Sequence, residues 1–152
     1  MFKKILVPLD GTADSERVID WVKPFARLGV DIHLVTIVDS RHLAEAYEFA
    51  QLTESITEWA DQYLGGILKS VQDEFPSATS SRKTGTPARE IIKVASEIGA
   101  DLIAMEPHRG SAAMRGILGG CSLIRSSTRA GASDRRGFRT SARKAVDHTH
   151  SA

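Results

Sequence analysis

The chain contains one cysteine, Cys121. A single thiol excludes an intrachain disulfide and any all-cysteine metal site, and it fits a reducing compartment. Long apolar runs are also missing. The N-terminal stretch Ile5-Leu6-Val7-Pro8-Leu9 stops at Asp10, too short for a signal peptide, and nothing approaches the roughly 20 apolar residues of a membrane span. The expectation is a soluble cytoplasmic protein without a membrane partner. Neither sign of charge dominates: 20 Lys and Arg face 19 Asp and Glu, a formal net charge of +1. The chain as a whole is therefore not drawn to nucleic acid, membrane surfaces or acidic ligands. There is no phosphate-binding P-loop, no zinc-ligand spacing, no nucleophile elbow and no solenoid repeat.

What is present is an ordinary globular composition, 41% apolar and 26% charged over 152 residues, enough for one domain with a core. The charge is unevenly spread. Arg125 to Ala152 holds seven Lys or Arg against two Asp or Glu, whereas the preceding residues hold thirteen against seventeen. The body is expected over residues 1–127, and residues 128–152 read as a basic, disordered tail.

Apolar segments alternate in kind along the body. Lys4–Leu9 is a short apolar run closed by Asp10-Gly11, a buried strand and its turn. Val18, Trp21, Val22 and Phe25 follow at helical spacing, with Thr12 or Asp14 as cap, Pro24 late in the helix as a kink and Gly29 at its end. Asp31–Val38 is rich in β-branched residues, a second strand. Ser40–Gln51 reads as a loop or short helix. Ile56, Trp59, Ala60, Tyr63, Leu64, Ile67 and Val71 share one face of a long helix ended by Pro76. The third strand falls within Ala78–Thr84 and is polar enough to suggest a sheet edge. Thr86-Pro87 starts another helix, closed by Gly99, and Asp101–Met105 is a fourth buried strand. This alternation predicts an α/β fold: an open, Rossmann-like parallel sheet with helices on both faces. Trp21 and Trp59 read as core residues, and His33 as a packed or edge histidine.

Ligands of such sheets bind beyond the carboxyl ends of the strands, where the strand order reverses. Those ends are Pro8–Gly11, Ile37–Asp39 and Met105–His108. Beyond the last lies EPHRGSAAMRGILGGC, with Gly110, Gly116, Gly119 and Gly120 beside Arg109 and Arg115. Its glycines could let backbone N–H groups approach an anion, a helix starting near Gly120 would add its positive end, and arginines suit phosphate. The same composition describes a plain surface loop. Asp10 serves equally as an acceptor for an adenine or ribose edge and as a turn residue. His108 has no nucleophile or carboxylate assignable to it, so no catalytic residue is named. His148 and His150 read as solvated tail, not a metal site, and Cys121 as a small buried side chain.

Together these segments resemble the universal stress protein family. KKILVPLDGTADSERVI is similar to the family's opening strand, V-P-x-D-G-S/T and helix. TGTPAREIIKVASEIGADLIAM resembles its G-x-P-x-x-x-I…A…ADLIVM block, and GILGG…IRSST resembles its approach to the last helix. The likeness covers about Met1 to Thr128. It implies a five-stranded parallel sheet with four helices, frequently as a homodimer. One branch of the family binds ATP through G-x-x-G-(nine residues)-G-S/T after the fourth strand; another lacks the motif and does not. Carried onto this chain, Pro8, Asp10 and Ile37 would line the adenosine side, and Met105, His108, Gly119 and Gly120 the phosphate side.

Two departures stand out. Glu106 and Arg109 replace the first two glycines, and Gly120 replaces the Ser/Thr. Glu106 would set a like charge near a triphosphate unless Arg109 or a cation offsets it. The family's last strand, V-P-V-L-V-V, has no counterpart after Ser127-Thr128, so the final strand is expected to be missing. This weakens the expectation of a homodimer and leaves a sheet edge uncovered. The abrupt change suggests a shift of reading frame between Gly120 and Thr128, which resequencing the coding DNA would test. The resulting expectation is a regulatory stress-response protein, not an enzyme, with weak binding of ATP or AMP. The alternative is a protein-interaction (dimerisation) module without nucleotide. Nucleic acid is not an expected partner, since the basic tail reads as solvated.

Overall fold

The computed structural model describes residues 2–41, 50–105, 122–125 and 139–140. Six strands form one sheet: β1 (Lys4–Pro8), β2 (Asp31–Asp39), β3 (Thr79–Gly85), β4 (Leu102–Met105), β5 (Ser122–Arg125) and β6 (Arg139–Thr140). Among the described residues, three helices lie between the first four: α1 (Ala13–Ala26), α2 (Ala50–Val71) and α3 (Pro87–Glu97). The spatial order is β3-β2-β1-β4-β5-β6. β1 to β4 are parallel, whereas β5 runs antiparallel to β4 and β6 antiparallel to β5.

Side-chain alternation along the strands sorts the core into two layers. Ile5, Val7, Leu9, Ile32, Leu34, Leu102 and Ala104 face α1 and α2, meeting Val18, Val22, Leu64 and Val71. Leu6, Val35, Ile103 and Met105 face the other way, against Val94 and Ala95 of α3. With both faces covered, the central strands need no polar side, hence the near-continuous apolar run of β1. β1 is also tied to its neighbours at its start. Asp101 Oδ2 accepts from the backbone N–H groups of Lys3 and Lys4 at 2.7 and 3.0 Å.

The local signals play out in detail. Thr12 caps α1, its Oγ1 accepting from Ser15 N at 3.2 Å. Thr86 stands at the N-cap of α3 ahead of Pro87 but makes no side-chain cap bond. Gly29 and Gly99 follow α1 and α3 at positive φ. β3 is the edge strand, half-buried and polar. His33 on β2 binds across to it, Nδ1 with Thr79 Oγ1 at 2.7 Å and Nε2 with Ser81 Oγ at 2.8 Å.

Two expectations are corrected. The sheet does not stop at β4. Ser122–Arg125, read as the approach to a helix, is instead strand β5, with Ile103 opposite Ile124 and Met105 opposite Ser122. The open edge of β4 offers unpaired backbone donors and acceptors that a four-residue segment with a Leu-Ile centre can satisfy. Within the tail, Arg139–Thr140 pairs in turn with β5. The two tryptophans are not core: Trp21 is 58% and Trp59 49% exposed. Each stands at the margin of its helical stripe, while smaller neighbours, Val18 and Val22 or Ala60 and Leu64, fill the interior.

Candidate functional site

From β1 the chain steps outward to β2 and then β3, with α1 and α2 on one face. It then returns across β1 to β4, with α3 on the other face. The order of strands therefore reverses between β1 and β4, and at such a reversal the flanking connections part and leave a crevice beyond the carboxyl ends.

Four of the residues singled out by sequence reach this rim. Pro8 is level with Val35 of β2, and Leu6 opposite Ile103; the same register carried on brings Pro8 level with Met105. Leu9 N donates to Val35 O at 2.8 Å, so the ladder runs one step past β1 and sets Asp10 beside Ile37. Ile37 is half-buried and Met105 buried, both packed on the α3 layer. Pro8, Ile37 and Met105 thus form an apolar floor on one side of the switch point, with Asp10 exposed above it. His108, Arg109, Gly119 and Gly120, together with Glu106, Arg115 and Cys121, lie outside the described residues. So do His148 and His150.

The Asp10 carboxylate has a structural duty. Its Oδ1 accepts from Thr12 N at 3.0 Å and from Thr12 Oγ1, and Asp10 N donates to Ser15 Oγ at 3.3 Å. This is the turn role set beside the ligand role in the sequence, and it orients the carboxylate at the rim. At the end of β2, Asp39 is mostly covered and holds the exposed Arg41, whose Nη2 lies 2.6 Å from Asp39 Oδ2.

Sequence reasoning missed the aromatic cover of this turn. Gly11 has φ +82°, and a Cβ there would lie 2.5 Å from Trp59 Cη2 and 2.7 Å from Cζ2. The Trp59 ring of α2 therefore sits directly against the glycine. Tyr63, one turn on, stacks on Trp59 at 5.3 Å and 7° and donates its hydroxyl to Glu16 Oε1 at 2.9 Å. Burial, followed by the bond to Glu16 and its charge, pushes the Tyr63 hydroxyl far above the usual phenol range. It therefore remains a proton donor. The i, i+4 spacing of Trp59 and Tyr63 was visible, but their approach to a turn 48 residues earlier had no local signal.

A doubly wound α/β domain whose strand order reverses between β1 and β4 is the class this geometry defines. The model of the universal stress protein family matches residues 1–123, and the chain belongs to that family. Universal stress protein MJ0577 of Methanocaldococcus jannaschii is 28% identical over 126 residues, covering 71% of this chain and 78% of that protein. The solved structure of MJ0577 is similar at a TM-score of 0.66 and 31% identity, covering 71% of this chain and 76% of that one. A universal stress protein from Archaeoglobus fulgidus shares the fold at a TM-score of 0.60 and 23% identity, covering 78% of this chain and 42% of that one.

Proposed function

We propose that this protein is a stress-response regulator that binds an adenine nucleotide weakly at the β1–β4 rim. The observation that carries the reading is the convergence of Pro8, Asp10, Ile37 and Met105 on the topological switch point. An apolar floor suits a purine face, and a fixed carboxylate suits the hydrogen-bond donors of adenine or ribose. The replacement of the loop glycines by Glu106 and Arg109 supports weak rather than tight binding.

The reading is of binding, not catalysis. In the described serine–histidine pair, Ser81 with His33, the histidine lies toward the amino end of β2, about 13 Å of strand from Ile37 at the rim at roughly 3.3 Å per residue. The second nitrogen of His33 is held by Thr79, not by a carboxylate. This is the arrangement of a strand-bridging histidine rather than of an activated nucleophile.

Thermal unfolding tests the reading. ATP or AMP at about ten times its dissociation constant contributes about 1.4 kcal/mol, which raises the melting temperature of a chain this size by about 3–5 °C. Asp10→Ala should abolish the rise. An unchanged melting temperature at millimolar nucleotide would sink nucleotide linkage. The alternative, a nucleotide-free interaction module, draws support from the exposed Trp21 and Leu28 on and just after α1. It would be favoured by a concentration-dependent dimer in sedimentation that nucleotide leaves unaltered.

A further inference from the structure

We propose that Trp59 is a positioning residue of the rim site: its indole, seated against Gly11, holds the turn that presents the Asp10 carboxylate and so sets nucleotide affinity. The inference rests on the nucleotide reading above and names a residue which that reading does not contain.

The contacts close a ring around the turn. Asp10 binds Thr12, Glu16 N donates to Thr12 O at 3.2 Å, Tyr63 donates to Glu16, and Tyr63 stacks on Trp59. Trp59 returns to Gly11, where the missing side chain leaves room for the ring. α2 thereby reaches over the sheet to the loop after β1. Core filling does not require a tryptophan here, since Ala60 and Leu64 already supply the buried contacts of this stretch and half of Trp59 is exposed. Its distinctive contact is with the turn. Fixing a binding group before the ligand arrives lowers the entropic cost of association, so loosening this turn should appear as weaker binding.

The test is calorimetric titration of ATP and AMP into the full-length chain and into Trp59→Ala, Trp59→Phe and Asp10→Ala variants, with melting temperatures alongside. Trp59→Ala should weaken binding by about five- to tenfold, the low end of coupling between linked groups. Trp59→Phe, which keeps an aromatic ring beside Tyr63 but lacks the outer indole atoms Cη2 and Cζ2 that touch Gly11, should restore only part of it. A second measurement leaves the contact intact. In a Trp21→Phe background Trp59 is the sole tryptophan, and its emission should change with the calorimetric midpoint. If Trp59→Ala binds as tightly as wild type while Asp10→Ala does not, the positioning role is overturned and the nucleotide reading stands. Equal losses in both Trp59 variants, with lower melting temperatures and flat Trp59 emission, also overturn it. If wild type takes up no nucleotide, the functional reading falls and the positioning role falls with it.

Discussion

At Gly11 a missing side chain decides which two helices meet the same turn. The φ of +82° suits glycine, and the space a Cβ would need belongs to Trp59. His33 is a second residue whose surroundings set its chemistry. Burial, then the charges of Lys4 and Lys83, hold its pKa below 6.5. The folded chain therefore keeps His33 neutral where the unfolded chain would already take a proton. Unfolding then gains protons, so stability is full above about pH 6.5 and falls as the pH drops below it. Denaturant titrations from pH 7.5 to 5 should show this decline, and His33→Gln should flatten that part of it. A profile identical in both proteins would show that His33 does not contribute.

Among the elements, α1 depends most visibly on one side chain. Thr12 caps the helix at Ser15 N and also gives its backbone N–H to Asp10. Thr12→Ala removes the cap and should cost about 1 kcal/mol, seen as a lower denaturant midpoint with an unchanged slope. Thr12→Ser should recover most of the loss. The strands divide by exposure. β1 and β4 read plainly as apolar runs because both their faces are buried. β3 was faint because an edge strand carries Ser80, Arg82 and Lys83, whose polarity edge exposure tolerates. Arg82 pairs with Asp61 and Lys83 with Glu97, one to each helical layer. β5 was misread because four residues carry too little periodicity to separate a strand from a helix start.

At the scale of the molecule, the described core is built from residues between Ile5 and Met105, and the family match ends at residue 123. β6 adds a two-residue pairing from the basic segment. Truncation after Thr128 removes that pairing and should leave the two packed layers standing, with a cooperative thermal transition displaced by no more than about 4 °C, the effect of about 1 kcal/mol in a chain this size. Loss of cooperative unfolding would mean that the segment is integral to the domain. No helix among the described residues is long and apolar enough to cross a membrane.

The order of strands and helices through Met105 was legible because hydrophobic period and turn residues are local properties, readable a few positions at a time. So were Pro8, Asp10, Ile37 and Met105 as strand-end residues, once the parallel arrangement was inferred. Other features depend on what lies opposite. The antiparallel β5 follows from the open edge of β4, and the exposure of Trp21 and Trp59 from where each helical stripe meets the sheet. The closure of Trp59 over Gly11 joins groups far apart in the chain. Such contacts arise only when distant segments pack, and no short stretch of sequence encodes its partner's position.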